Sequence, residues 1–322
     1  MNKKFISSCL KTFKKSKILV IGDIMLDEFV YGSVERISPE APVPILLQKS
    51  KTSQLGGAAN VVRNIAAMGF NVGLLSVIGA DLASQKVIDL FKREKKISPF
   101  LIKINTYPLT TKTRYVNEVN QLLRVDQEEI NFMTRSIEDK IINKIKRTLN
   151  KYNTVIISDY KKGMLNKKII KEIIKICNKN NIKTLVDPKD KDFSIYSGAQ
   201  IITPNQNELS KTVNTELNSI TNIVKQSQKL ILKNKFNYVL VTRSEKGMLL
   251  ISKKKFENFT TIAKDVFDVS GAGDTVVSFI ALGFGSSLDI RDTVKIANLA
   301  AGIVVGKKGT AVANRRELLK LQ

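Results

Sequence analysis

The stretch with the clearest capacity for chemistry is VFDVSGAGDTVVSFIALGFG, residues 266–285. Within it, Ser270-Gly271-Ala272-Gly273-Asp274-Thr275 stands directly before an apolar helix-forming run. Three small residues in succession let neighbouring backbone N–H groups converge at a helix N-terminus, which makes a site for an anion such as phosphate. Asp274 then stands beside that anion site, where a base must sit to take a proton from an attacking hydroxyl. Taken alone, the same residues also read as a Gly-rich helix start with an acidic first turn. Two familiar phosphate loops do not fit. A Rossmann fingerprint fails because Gly271-x-Gly273 is followed by Val276 at the third position, and GIVVGKK (302–308) has the wrong spacing for a Walker loop.

Four further polar turns accompany this one. Gly22-Asp23 ends the apolar run KILVIG (17–22), and Gly56-Gly57-Ala58-Ala59-Asn60 puts a tight turn and an amide at a helix start. Asn205-Gln206-Asn207-Glu208 follows a strand and offers an amide and a carboxylate three residues apart, on one face if helical. Thr242-Arg243-Ser244-Glu245-Lys246-Gly247 follows the run NYVLV. Each alone reads as a turn or a cap. Their recurrence at strand ends points to one edge of an open α/β sheet, where such folds bind ligands.

The elements that must hold these turns alternate. Buried-strand patterns occur at 17–22, 72–79, 153–158, 182–187, 199–203 and 237–242. Between them lie helical patterns, including AANVVRNIAAM (58–68) stopped by Gly69. Two others are amphipathic, with Ile137, Ile141, Ile142, Ile145 and Leu149 on one face and Ile169, Ile170, Ile173, Ile174 and Cys177 on another. Repeated strand–helix units predict an α/β fold, a mainly parallel sheet with helices on both faces, over a single domain of residues 1–322. Residues 27–49 and 101–125 lack helical periodicity and are rich in β-branched and aromatic residues; they predict short antiparallel strands outside the main sheet. A small β appendage of that kind would serve as a lid, a dimer contact, or both.

Composition excludes much. The 322 residues contain no His, so Ser-His-Asp and Cys-His hydrolases and His-ligated zinc or haem are ruled out. Cys9 and Cys177 cannot build a four-thiolate cluster or a disulfide scaffold, and Cys177 belongs to an apolar helix face. With 53 Lys+Arg against 29 Asp+Glu, the net charge of +24 raises nucleic acid or a membrane surface as a partner. The Lys residues are nevertheless spread along the chain, as basic faces of ordinary helices, which makes nucleic acid the lesser reading. The start, MNKKFISSCLKTFKK, has a superficially lipobox-like Ile6-Ser7-Ser8-Cys9, but only Phe5 and Ile6 stand where a signal peptide needs roughly 7–15 apolar residues. No apolar run approaches the roughly 18 residues of a membrane span. A cytoplasmic protein is the expectation.

Three of these elements, GGAAN, the NxxE at 205–208 and SGAGDT, together resemble the ribokinase family of carbohydrate kinases. More narrowly, GDIMLDEFVYGSVERISPEAPVPI (22–45), TKTR…QLLRVD (111–126) and SDYKKG (158–163) resemble the branch of that family that phosphorylates D-glycero-D-manno-heptose 7-phosphate. The resemblance runs from about residue 16 to the end. It implies a ribokinase-like fold with a β lid, and transfer of the γ-phosphoryl group of ATP, with Mg²⁺, to O1 of the heptose phosphate. The 1,7-bisphosphate so formed feeds nucleotide-heptose synthesis for lipopolysaccharide or other envelope glycans.

Residue by residue, the resemblance makes Asp274 the catalytic base and the amides around Gly271, Ala272 and Gly273 the anion hole. Asp23, Gly56, Gly57 and Asn60 match sugar-binding positions. Asn205, Gln206, Asn207 and Glu208 match the nucleotide and Mg²⁺ element, with Glu208 holding the metal through water. Thr242, Ser244 and Gly247 match the nucleotide-binding turn, and Asn298 a helix near the adenine. For the substrate's own phosphate the candidates are Arg114, with Lys112 nearby, then Lys162 and Lys189, with Asp159 of the SDYKKG element as a further substrate residue. Arg114 is preferred because a guanidinium binds phosphate in a bidentate manner. A homodimer through the lid is implied as well. Some relatives carry a nucleotidyltransferase with a His-containing signature in the same chain. With no His and an end at Gln322, the expectation here is that the nucleotidyltransferase and phosphatase of the pathway are separate proteins. Two other readings stay open at this stage: a kinase of this family for another sugar, sugar phosphate or nucleoside, and a non-catalytic basic nucleic-acid-binding protein.

Overall fold

The computed structural model describes residues 3–118, 120–129, 133–262 and 266–320; Val119, inside the second predicted lid segment, lies outside them. The elements follow in the order α1 (Lys3–Thr12), β1 (Ile18–Gly22), β2 (Ile24–Ile37), β3 (Pro44–Gly57), α2 (Ala58–Ala67), β4 (Val72–Ile78), α3 (Leu82–Lys92) and β5 (Ile97–Lys103). Next come β6 (Thr111–Asn117), β7 (Asn120–Gln127), α4 (Arg135–Thr148), β8 (Thr154–Ser158), α5 (Lys167–Lys179), β9 (Lys183–Asp187) and β10 (Ile201–Ile202). The chain closes with α6 (Gln206–Val213), α7 (Ile220–Asn234), β11 (Tyr238–Thr242), β12 (Met248–Ser252), β13 (Phe256–Phe259), α8 (Ala272–Gly285), α9 (Ile290–Val305) and α10 (Arg315–Lys320).

Nine strands form one sheet in the order β13-β12-β11-β10-β9-β8-β1-β4-β5. Every pair from β11 to β5 is parallel, and only β12 and β13 run antiparallel at one edge. The central strands are apolar throughout because both faces are covered. Alternate residues feed opposite cores: Ile18, Val20, Leu74 and Ile156 pack with α1, α2, α8 and α9. Leu19, Ile21, Leu75 and Ile157 pack with α4, α5 and α7 on the other side. Cys177 is fully enclosed in this second core, as its place on the α5 stripe requires.

A four-stranded sheet in the order β3-β2-β6-β7 stands over the C-terminal edge of the large one. Its strands depart from the expectation. β2 and β3 have 14 residues each, β2 begins at Ile24 and β3 ends at Gly57, directly on α2. β2 pairs with β6 in parallel, not antiparallel. Residues 101–103 belong to β5 in the main sheet, so the second lid segment is the hairpin of β6 and β7. β10 keeps only two residues of the predicted 199–203, and α1, β5, β12 and β13 lie outside the expected elements. Among the described residues no helix is long and apolar enough to cross a membrane.

Candidate active site

Helix α8 begins at the SGAGD turn because Gly271 adopts a left-handed conformation (φ 80°) that L side chains rarely take. Asp268 shapes the approach, accepting the Ser270 N–H on Oδ1 and the Gly309 N–H on Oδ2. The Ala272 N–H donates to the Val269 carbonyl at 3.2 Å. The expected anion hole of three amides is therefore corrected: the Ala272 N–H, at the first position of α8, is engaged inside the turn, while Gly273 follows it in the first turn, where backbone N–H groups have no intrahelical partner. A polar seam fixes α8 against α2. Thr275 Oγ1 donates to Asn64 Oδ1 at 2.8 Å, Ser278 Oγ to the Val61 carbonyl at 2.9 Å, and Asn60 Nδ2 to Asp274 Oδ2 at 2.6 Å.

Asp274 is thus buried and held at both oxygens, since the Tyr160 hydroxyl donates to Oδ1 at 2.6 Å. Burial pushes its carboxyl up to about 6, and the negative Asp27 adds to the effect; the Tyr160 and Asn60 donors and Lys189 oppose it. A group so placed is mostly ionised at neutral pH and a stronger base than a free carboxylate of about 3.9.

Asp274 stands in the wall of a polar cavity of about 310 Å³. Lys112 and Arg114 of β6 and Arg124 of β7 border it from the lid, while Asp187, Lys189 and Glu208 border it from the sheet ends. The register explains the lid cluster: Arg114 lies directly opposite Arg124, and Lys112 opposite Asp126, so all four share one face. Arg114 pairs with Asp27 at 2.6 Å and lies over the Phe29 ring. Asp27 fits against β3 because residue 56 is glycine; a Cβ there would overlap Asp27 Oδ2. A second cavity of about 340 Å³ adjoins, lined by Met248, Val266, Val269, Ala301 and Val305 with Ser244, Gly247 and Asn298 at polar points. Asn205, Thr242, Gly273 and Val276 border both. The arrangement is one polar chamber and one largely apolar chamber meeting at the start of α8.

The NxxE element is a capping box. Glu208 N–H donates to Asn205 Oδ1 and Asn205 N–H to Glu208 Oε2, each at 2.9 Å, and Glu208 Oε1 binds Lys189 at 2.7 Å. Both side chains still border the polar cavity. Burial, reinforced by Asp274 and Glu208, holds the Asp187 carboxyl well above its usual range. Burial works against the Lys189 ammonium, but Glu208, Asp187 and Asp274 outweigh it and hold its proton more firmly than usual. No trio of carboxylates among the described residues forms a closed metal cage. Magnesium typically takes only one or two protein carboxylates with water and phosphate oxygens. Asp187 and Glu208, both on the wall of the polar cavity, fit that donor set.

Several expected positions need correction. Asp23 does not border either cavity: its oxygens accept the N–H groups of Tyr160, Lys162 and Met164 at 3.1–3.2 Å, so it anchors the loop after β8. Asp159 also faces inward, accepting from the Lys161 N–H and the Tyr196 hydroxyl. Lys162 pairs with Glu128 at 2.6 Å outside the cavity lining. Gln206 donates to the Leu217 carbonyl, and Asn207 is exposed. Gly56 and Asn60 act one step back, on Asp27 and Asp274. Gly57, Arg114, Lys189, Asn205, Glu208, Thr242, Ser244, Gly247, Gly273, Asp274 and Asn298 do line the paired cavities, as does Ala272. Sequence reasoning missed Asp27, Tyr160, Asp187 and Arg124. The strand period would have found Asp27, which shares a face with Met25, and Asp187 is the last residue of a recognised strand run.

A family model for the pfkB family carbohydrate kinases matches residues 15–316. The chain belongs to this family. Among curated relatives, it is 40% identical over 312 residues to the bifunctional protein HldE of Aliarcobacter butzleri (strain RM4018), covering 96% of this chain and 65% of that protein. It is 41% identical over 311 residues to the bifunctional protein HldE of Paramagnetospirillum magneticum, covering 96% and 64%. The chain thus spans a little under two thirds of the length of these relatives. The fold matches phosphofructokinase-2 from Escherichia coli in complex with substrates and products, with a TM-score of 0.81 at 18% identity over 95% of this chain and 97% of that one. It also matches Arabidopsis thaliana ribokinase complexed with ribose and ATP, with a TM-score of 0.73 at 17% identity over 95% and 99%. At these identities the matches establish the ribokinase-like fold.

The raised Asp274 carboxyl has a stability signature independent of turnover. Between about pH 4 and about pH 6 the folded protein holds a proton on Asp274 that the unfolded chain releases, so this contribution to stability falls as pH rises. Asp274→Asn lacks that slope. Urea unfolding from pH 4 to 8 should show its stability relative to the wild type rising by up to about 3 kcal/mol across the window and then levelling. A flat difference would contradict the assignment.

Proposed function

We propose that this kinase transfers the γ-phosphoryl group of ATP to O1 of D-glycero-D-manno-heptose 7-phosphate, giving the 1,7-bisphosphate used in nucleotide-heptose and envelope-glycan synthesis. The observation that carries the reading is the buried Asp274 carboxylate at the junction of a cation-bordered polar chamber and an apolar one. The apolar chamber suits a flat purine ring, with Asn298, Ser244 and Gly247 at its polar points. The polar chamber suits a polyol phosphate: Asp27 for hydroxyls, and Arg114, Arg124 and Lys112 for the phosphate. The ISPEAPVP segment and the HldE likeness over 96% of the chain favour the heptose acceptor over other sugars.

In the reaction the acceptor hydroxyl gives its proton to Asp274 as its oxygen bonds to the γ-phosphorus. The bond from that phosphorus to the β-bridging oxygen breaks, and ADP leaves with the electron pair. The transition state is loose, so an aligned acceptor of modest basicity suffices, worth roughly 10²–10⁴-fold. The first-turn N–H groups of α8 that follow Ala272, from Gly273 on, meet the charge on the transferred group. Asp187 and Glu208, the latter through water, would hold Mg²⁺, which when bound neutralises phosphate charge. ATP as co-substrate and two free, buried thiols support a cytoplasmic location in this reading.

The test is ATP consumption with Mg²⁺ across heptose 7-phosphate, fructose 6-phosphate, fructose 1-phosphate, ribose and adenosine. Heptose 7-phosphate should be strongly preferred, and Asp274→Asn should keep ATP affinity while losing turnover by a factor on the order of 10² or more. Preference for another acceptor retires the heptose assignment, and near-normal turnover of the variant retires the base.

The lid supports a homodimer. Ile37, Val43, Leu47, Leu123 and Val125 project apolar side chains from or beside it, at 41–60% exposure. Analytical ultracentrifugation at micromolar concentration should give a dimer that Leu47→Lys with Leu123→Glu dissociates; a wild-type monomer would overturn this partner.

A further inference from the structure

The loop between β8 and α5 absorbs an unusual share of buried polar groups. Asp23 is given over to three of its N–H groups, Asp159 to a fourth, and the Tyr107 hydroxyl to the Lys162 carbonyl at 3.0 Å. Lys161 takes a left-handed conformation (φ 54°) within it. Such a conformation in a residue with a Cβ persists only where surrounding contacts over-determine it. What these contacts fix is Tyr160, which borders the polar cavity and whose hydroxyl meets Asp274 Oδ1 at 2.6 Å.

We propose that Tyr160 is a positioning residue for phosphoryl transfer, its hydroxyl clamping one oxygen of Asp274 while Asn60 clamps the other. The inference rests on the kinase reading above. Each carboxylate oxygen has two acceptor directions, so a donor on each still leaves room for the acceptor hydroxyl. With both donors in place, the carboxylate plane is set before substrate arrives, and the proton from the acceptor oxygen enters a fixed lone pair as the new P–O bond forms and ADP departs. Tyr160 itself keeps its proton throughout: burial and the Asp274 and Asp187 charges hold the phenol far above its usual range. The groups facing Asp274 are Tyr160, Asn60, Asp27, Asp187 and Lys189, so removing one neutral donor leaves the local charge unchanged.

The experiment compares wild type with Tyr160→Phe, following the Asp274 carboxyl by ¹³C NMR of aspartate-labelled protein, assigned against Asp274→Asn, alongside acceptor kinetics over pH 5–9. Loss of the donor should raise the Asp274 midpoint by roughly one unit. It should lower kcat roughly 10- to 100-fold with little change in KM for ATP, the acid limb moving with the NMR midpoint. An unmoved midpoint, unchanged kcat, or a lower kcat with an unmoved limb overturns the proposal. The NMR reading stands apart from turnover. A wild type inactive on every acceptor defeats the kinase reading, whereas an active wild type with an unaffected variant defeats only the role of Tyr160. Should Tyr160→Phe fold poorly, a fluorinated tyrosine at position 160, more acidic and the same shape, must lower the midpoint; an unmoved or raised midpoint overturns the proposal as well.

Discussion

A carboxylate that is to accept a proton from an alcohol has to be buried enough to be basic and bonded enough to stay charged, and under the proposed function the structure is organised around that balance at Asp274. Burial alone would neutralise it. Two donors from different parts of the chain, Asn60 on α2 and Tyr160 after β8, counter the desolvation and fix the direction in which the group accepts. The demands then propagate outward. Asn60 is placed by the α2–α8 seam that also engages Asn64, Thr275 and Ser278. Tyr160 is placed by a loop that Asp23 staples to the end of β1.

Charge is divided across the cavity. Lid strands contribute Lys112, Arg114 and Arg124, and sheet ends contribute Asp187, Glu208 and Asp274 with Lys189 among them. Because the lid cations sit on one face through cross-strand register, β6 and β7 act as a single cationic plate. Asp27 pairs with Arg114, which brings a carboxylate and a guanidinium together in one contact at the cavity. Under the proposed function, an incoming sugar phosphate would offer a partner to each. Within the +24 chain, it is three lid cations, placed by register, that border the cavity from this side.

Much of this architecture was legible in the sequence, for identifiable reasons. Central strands buried on both faces read as unbroken apolar runs, and α4 and α5 as isoleucine stripes, so the parallel sheet and its two cores followed directly. The edge strands did not: β5 and β13 include exposed or charged positions and blend into loop composition, and β12 beside β13 is a five-residue apolar run directly after a polar turn. The GAGD turn was readable because small residues and an acid at a helix start have few other uses. Asp23 misled because a carboxylate at a strand end has the right place for a ligand, and nothing local shows that the amides of Tyr160, Lys162 and Met164, 137–141 residues further along the chain, will claim it. Asp27 was obscured by its position inside a long strand, and Tyr160 by a role that exists only when loop, α2 and α8 come together.

The most direct measurement is a crystal structure of the protein with heptose 7-phosphate, Mg²⁺ and a non-hydrolysable ATP analogue. The account predicts the O1 hydroxyl within hydrogen-bond distance of Asp274, the sugar phosphate on Arg114 and Arg124 or Lys112, and the purine in the apolar chamber. A sugar seated away from Asp274, or a phosphate that leaves the lid cations untouched, would contradict it.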